Sequence, residues 1–262
     1  MTDVPAYLAR IGYGGPTEPT VETLRAIHYA HLLAVPFENL DIAVGRKIVV
    51  DAEAFLRKVV EERRGGFCYE LNGAFAWLLR KLGYRVTLLS ARVAREKGGE
   101  GPEFDHLTLR VDLAEPWLAD VGFGESFLEP LRMKVKDEQS DRAGRFRLVR
   151  LGERLQLERA EPGSAWKRQY SFALKPRKLE EFAGMCHYHQ TSPDSHFTQN
   201  RICTLATADG RITLSEMKLN VTRNGERHEQ LQSSEEERST VLRERFGVRL
   251  LVDSAKQEHQ DR

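Results

Sequence analysis

Apolar and polar residues follow two different periods along this chain, and the change between them falls near residue 84. Before it the spacing is helical. Thr20 stands in N-cap register, and Leu24, Ile27, His28, His31 and Leu32 then recur at three- and four-residue steps until Pro36 ends the run. Residues 51–63 predict a second helix with Phe55 and Val59 turned inward, stopped by Gly65-Gly66. A third, predicted over 68–82, carries Leu71, Phe75, Leu78 and Leu82 on one stripe, with Gly83 where a C-terminal cap belongs. From Tyr84 the period is two, and residues 84–93, 106–113, 117–121, 145–151 and 154–159 predict strands, with a hairpin turn at Leu151-Gly-Glu-Arg154. Residues 174–190 include a connecting helix through Leu179, Phe182 and Met185. A meander follows over 201–208, 211–216, 219–222 and 226–231, with turns at Asp209-Gly210 and Asn224-Gly225. The last helix, over 234–246, has Ser234 and Glu237 in capping-box register and Gly247 behind it; beyond Asp253 the chain is polar and expected to fray.

Helices, then strands, then strands with a helix make an α+β fold. The expected division is 1–83, helical and carrying the cysteine discussed below; 84–174, strand-rich; 175–192, a linking helix; and 193–262, α/β. Composition adds little beyond a globular protein: 262 residues, 40% hydrophobic and 30% charged. With 40 Lys and Arg against 39 Asp and Glu the formal charge is +1, which supplies no field for nucleic acid or anionic lipid. No apolar run reaches the length of a membrane span, and residues 1–15 show no secretory signal. Three cysteines, Cys68, Cys186 and Cys203, are too few and odd in number for a disulfide framework, so a reducing, cytoplasmic setting is expected.

The chemistry gathers in three segments. In Arg64-Gly-Gly-Phe-Cys-Tyr-Glu70 two glycines precede a cysteine that opens a helix. The helix N-terminus presents unpaired N–H groups and partial positive charge, which favours thiolate and can hold an oxyanion. A packed structural cysteine would fit the same motif. In residues 106–113, His106, Thr108 and Arg110 share one face and Leu107, Leu109, Val111 and Leu113 the other; in 117–121, Asp120 lies opposite Trp117, Ala119 and Val121. Matching apolar to apolar pairs Leu107 with Ala119 and Leu109 with Trp117, which sets His106 directly across from Asp120. Alone, that pair could simply support a hairpin. Together the three segments offer a nucleophile, a base and its orienter, with Cys68 expected to be a thiolate near neutral pH.

At these residues the chain resembles the arylamine N-acetyltransferases. Arg64-Gly-Gly-Phe-Cys-Tyr-Glu-Leu-Asn72 is similar to the segment around that family's catalytic cysteine, Pro36-Phe-Glu-Asn-Leu40 to its N-terminal motif, and His106-Leu-Thr and Asp120-Val-Gly-Phe-Gly124 to the segments holding its other triad members. Thr191-Ser-Pro-Asp-Ser-His-Phe197 resembles the start of its third domain. The resemblance implies a helical bundle, a β-barrel and an α/β lid with a papain-like cysteine triad of Cys68, His106 and Asp120. It further implies ping-pong acetyl transfer from acetyl-CoA to arylamines, arylhydrazines or N-arylhydroxylamines without a metal, Phe37 and Phe123 lining the acceptor pocket, and Gly124 beside the cofactor. Pro102-Glu103 departs from some family members, which have a small residue and glycine there. Opposite charge suggests that Glu38 and Arg64 brace the cysteine loop.

Papain-like and transglutaminase-like enzymes acting on peptides use the same Cys, His, Asp order, but the Arg-Gly-Gly-Phe-Cys context favours the acetyltransferase. A binding protein without catalysis is a third reading, opposed by the intact triad. Cys186, His187, His189 and His196 match no standard zinc spacing, and Cys186 and Cys203 read as inert thiols. The sequence leaves the physiological acceptor, the preferred acyl-CoA and the oligomeric state open.

Overall fold

The computed structural model describes residues 2–95, 97–161 and 163–250. The expected fraying beyond Asp253 lies outside the described residues. In the first third, α1 (Val4–Arg10) is followed by α2 (Val21–Ala34), whose cap is Thr20: its hydroxyl accepts the Thr23 N–H at 3.2 Å. Past Pro36 the chain is extended over β1 (Phe37–Glu38) and turns into the short α3 (Leu40–Ala43). The helix expected over 51–63 exists in two hydrogen-bonding forms, α4 (Ala52–Leu56) running into a π-helical turn at Arg57–Glu61. The Arg10 guanidinium meets the carbonyls around that turn, with Nε 2.9 Å from Val59 O. α5 (Cys68–Lys81) runs through the middle of the core and ends at Gly83, φ +90°, a left-handed residue of the kind that stops helices.

The middle of the chain forms β2 (Arg85–Val93), β3 (His106–Asp112), β4 (Pro116–Ala119), β5 (Leu131–Arg132), β6 (Gln139–Asp141), β7 (Gly144–Leu151), β8 (Arg154–Ala160) and β9 (Lys167–Ala173). They make one antiparallel sheet, in the order β5-β4-β3-β2-β9-β8-β7-β6, curled into a nearly closed barrel. Leu107, Leu109, Val111 and Trp117 pack outward on the helices, while Leu89, Leu118, Phe146, Leu157, Tyr170 and Phe172 fill the barrel. The β3–β4 register corrects the sequence expectation. Leu109 pairs with Ala119 and Val111 with Trp117, two residues along from the expected partners, so His106 and Asp120 are not directly opposed. A slide of two keeps every side chain on its face, which is why apolar matching could not detect it. β5, β6 and β9 were not anticipated. The first two are two and three residues long, and β9 opens on Lys-Arg-Gln, which hides its alternation.

A 3₁₀ turn (Leu179–Phe182) leads into α6 (Ala183–Thr191) and the short α7 (His196–Gln199). Then come β10 (Ile202–Thr207), β11 (Gly210–Ser215), β12 (Lys218–Arg223), β13 (Glu226–Leu231) and α8 (Glu235–Phe246). The β12–β13 hairpin turns at Asn224 and Gly225, φ +49° and +86°, the two left-handed positions a tight hairpin needs. β1 completes this sheet, pairing Phe37 with Thr204 and Glu38 with Cys203, and so ties the segment before the cysteine loop to the C-terminal layer. The whole is α+β: a helical bundle, a barrel, and a sheet with its helix.

Candidate active site

The cysteine loop is wedged against β1. The Glu38 N–H donates to Gly66 O at 2.8 Å, and a Cβ on Gly65 would overlap the Pro36 carbonyl, so glycine is required there by space. Cys68 follows as the first residue of α5, 3% exposed. Its helix start is fixed by Glu70, whose Oε2 accepts the Phe67 N–H at 3.0 Å while Oε1 accepts from Lys58 Nζ at 2.8 Å. Lys58 also meets Asp41 at 2.9 Å, and Arg64 Nη2 bridges Glu38 at 2.7 Å and Asp41 at 2.8 Å. The expected Glu38–Arg64 brace is therefore part of a larger buried ion cluster. Burial, reinforced by Glu38 and Asp41 and opposed by Lys58, pushes the Glu70 carboxyl up to about 7.

His106 begins β3, and Asp120 follows β4 where the chain leaves the ladder. His106 Nε2 lies 2.6 Å from Asp120 Oδ2, a diagonal contact that the shifted register permits. Asp120 collects three further donors: the Tyr170 hydroxyl at 2.8 Å on Oδ2, and Asn72 Nδ2 at 2.8 Å and the Gly122 N–H at 3.0 Å on Oδ1. Burial would raise this carboxyl, but His106, Asn72 and Tyr170 together hold it below the usual range. Its backbone is held as well, the Asp120 N–H donating to His28 Nε2 at 3.1 Å. With Nε2 committed to Asp120, Nδ1 is the His106 nitrogen left to serve a nucleophile. Gly122 brings the following loop onto the cysteine: a Cβ there would meet Cys68 Cα at 2.8 Å.

Burial pushes the Cys68 thiol well above its ordinary value, a hydrogen bond from the Leu107 amide pulling partly back. The expectation of a lowered thiol is not met: desolvation of the buried sulfur raises it. Burial pushes Cys186 up to about 12 and Cys203 well above its ordinary value.

Cys68 and His106 open into one cleft of about 1060 Å³, walled by Phe37, Phe123, Tyr188 and Phe197 among others. Phe123 packs edge-on against His106, ring centres 5.2 Å apart. Gly124, φ +86°, is not part of the lining; it sits under the Phe37 ring with its carbonyl held by Arg211. His189 and His196 line the cleft, His189 Nε2 lying 3.2 Å from Asp105 Oδ1. Among the described residues no group of His, Cys, Asp or Glu is arranged to hold a metal ion.

Asn72, Tyr170, His28 and Gly122 escaped the sequence reading. Asn72 carried a signal, lying one helical turn after Cys68 on the same face. Tyr170 and His28 carried none, since each resembles an ordinary core residue in a strand or helix.

The family profile described as N-acetyltransferase matches residues 20–255. The chain belongs to the arylamine N-acetyltransferase family. It is 36% identical over 274 residues to an arylamine N-acetyltransferase pineal gland isozyme of Gallus gallus, covering 95% of this chain and 94% of that protein. The structure of Mycobacterium marinum arylamine N-acetyltransferase in complex with CoA superposes with a TM-score of 0.88 at 33% identity, over 94% of this chain and 93% of that one. A Bacillus cereus arylamine N-acetyltransferase, described as having a unique Cys-His-Glu catalytic triad, superposes at 0.88 with 25% identity, over 95% of this chain and 100% of its own.

Proposed function

We propose that this protein transfers an acetyl group from acetyl-CoA to the nitrogen of arylamines and arylhydrazines, or to the oxygen of N-arylhydroxylamines, through an acetyl-Cys68 intermediate. The observation that carries this reading is the 2.6 Å contact with buried Asp120 made by His106, which opens into the same cleft as Cys68. The CoA-bound relative supports the donor, and the relatives' shared name supports the acceptor class.

In the first half-reaction the Cys68 proton passes to His106 Nδ1 as the sulfur attacks the thioester carbonyl. Moving that proton within the pair keeps the pocket neutral overall, so a thiol that burial keeps protonated can still react. The amides of the first turn of α5 are assigned to the developing oxyanion, since a helix start leaves its first N–H groups without helical partners. The carbon–sulfur bond to CoA then breaks, and the CoA sulfur leaves with the proton from His106. In the second half-reaction the acceptor nitrogen attacks the acetyl-cysteine carbonyl, its proton goes to His106, and the Cys68 sulfur is released and reprotonated. Asp120 holds the Nε2–H tautomer throughout. Exchange between thioesters is close to neutral in energy, so the mechanism calls on no metal. Phe37 and Phe123 are assigned to the acceptor pocket, where aromatic walls exclude water; Gly124 is assigned to the path of the cofactor. Residues 1–83, 84–174 and 193–262, joined through 175–192, are assigned as bundle, barrel and lid. Three free cysteines favour a cytoplasmic setting, and no described helix is long and apolar enough to cross a membrane.

Label exchange tests the ping-pong order. Without acceptor, the enzyme is expected to move label from free CoA into acetyl-CoA, and initial rates at several acceptor concentrations should give parallel double-reciprocal lines. Exchange that requires acceptor would mean direct transfer in a ternary complex. Rapid acetyl-CoA consumption without acceptor would mean a thioesterase.

A further inference from the structure

His28 sits midway along α2, 0% exposed, and both of its ring nitrogens are engaged. Nε2 lies 3.1 Å from the Asp120 amide nitrogen and Nδ1 2.9 Å from the Leu128 carbonyl oxygen. An amide N–H can only donate and a carbonyl can only accept, so the contacts select one form of the ring: neutral, with the proton on Nδ1. The two backbone groups are the ends of a single loop. Between them lie Gly122, which rests on Cys68 and whose N–H supports the Asp120 carboxylate, and Phe123, which walls the cleft and packs on His106. Phe127, near the end of that loop, stacks on the imidazole at 5.7 Å, and Phe75 of α5 meets it edge-on at 5.8 Å.

We propose that His28 is a positioning residue: it closes loop 120–128 with its two nitrogens and thereby sets the Asp120 carboxylate and the Phe123 wall against His106. The proposal rests on the acetyltransferase reading for its catalytic consequence, though not for its structural content. The carboxylate has four donors of its own, and Asn72 and Asp141 accept the Val121 and Leu128 amides, but among the described residues the His28 ring is the one group that joins the Asp120 amide to the Leu128 carbonyl. The neutral form is secure at working pH. Burial pushes the ring down to about 4 against the opposing pull of the Leu128 carbonyl and Asp120, and the other titratable neighbour, His31, is pushed down as well.

Two measurements test this. The first uses the wild-type protein with ¹⁵N-labelled histidine at neutral pH. Long-range ¹H–¹⁵N correlations for His28, assigned by loss of the signal in H28Q, should show a protonated Nδ1 and a bare Nε2; the opposite tautomer overturns the proposal, whether or not the protein acetylates anything. The second compares H28F, H28Q and L242A, a variant in the core of the C-terminal layer away from the loop. H28F keeps an aromatic ring but neither hydrogen bond, and is expected to lower kcat roughly 10–100-fold with little change in the KM for acetyl-CoA. It should also shift the pH midpoint of Cys68 alkylation. H28Q, whose amide oxygen and nitrogen have a spacing close to that of the two ring nitrogens, should recover most of the loss. L242A should lower the melting temperature without moving the alkylation midpoint. If H28F behaves like L242A, or H28Q rescues nothing, His28 is a packing residue only. Should H28F fail to fold, the tautomer measurement still decides. Absence of transfer by the wild type would defeat the functional reading and leave the tautomer result standing.

Discussion

Replacing Asp120 by Asn probes the site at its most densely bonded atom pair. Oδ2 accepts from His106 and Tyr170, and Oδ1 from Asn72 and the Gly122 amide. An amide has one oxygen to offer four donors. If its NH₂ takes the Oδ1 side it faces an amide N–H that cannot turn away, so it settles on the Oδ2 side. Tyr170 can redirect its hydroxyl to Thr108, 3.3 Å away. His106 can respond only by changing tautomer, leaving Nε2 bare and placing the proton on Nδ1, the nitrogen that must receive the Cys68 proton. A triad histidine locked in the wrong tautomer loses on the order of 10⁴-fold in kcat, about 5.5 kcal/mol of barrier. The accompanying loss of stability is expected to be about 1–3 kcal/mol, the cost of imperfectly satisfied buried donors. Single-turnover acetylation by stopped flow, beside urea unfolding, separates the two. A folded Asp120→Asn protein retaining activity within ten-fold of wild type would refute the reasoning and reduce Asp120 to a structural partner.

Three further outcomes follow from the geometry. Gly122→Ala puts a methyl group 2.8 Å from Cys68 Cα and 3.0 Å from Cys68 O, and should destabilise the fold by about 1–3 kcal/mol and slow acylation at least ten-fold; normal acylation rates would show that the loop can retreat at no cost. Because burial holds Cys68 as a thiol, its alkylation needs His106 to take the proton, so His106→Gln should slow iodoacetamide alkylation of Cys68 at least ten-fold near neutral pH; an unchanged rate would show that His106 does not act as the base. Folded Glu70, pushed up to about 7 from an ordinary 4.5, keeps a proton that the unfolded chain releases between those values. Folding therefore takes up a proton in that window, and the native state loses stability as pH rises through it, by up to about 3 kcal/mol. Glu70→Gln should remove that slope in chemical denaturation, and an unchanged slope would assign it to another group.

Much of this was legible because it depends on local rules. Thr20 and Ser234 cap helices where their hydroxyls fall in register, Asn224-Gly225 turns where both residues must be left-handed, and α5 starts at Cys68, directly after the Gly65-Gly66 loop. The shared face of His106 and Asp120 followed from period-two alternation, but their register did not, since a slide of two residues preserves every face. The remaining features are products of distant chain segments. Tyr170 reaches Asp120 across the barrel, His28 across the bundle, and β1 becomes a strand only because β10 offers it an edge. The Cys68 thiol was misjudged for the same reason: the sequence displays the helix terminus beside the sulfur, whereas the burial that raises its pKa exists only once the fold has closed.

The central claim is that the acetyl group rests on Cys68. Intact-mass measurement after incubation with acetyl-CoA, without acceptor, addresses it most directly, with peptide mapping to locate the label. One acetyl group on Cys68, discharged on adding an arylamine or a hydrazide, is the predicted result. A label on Cys186 or Cys203, or an unmodified protein that still acetylates the arylamine, would contradict it.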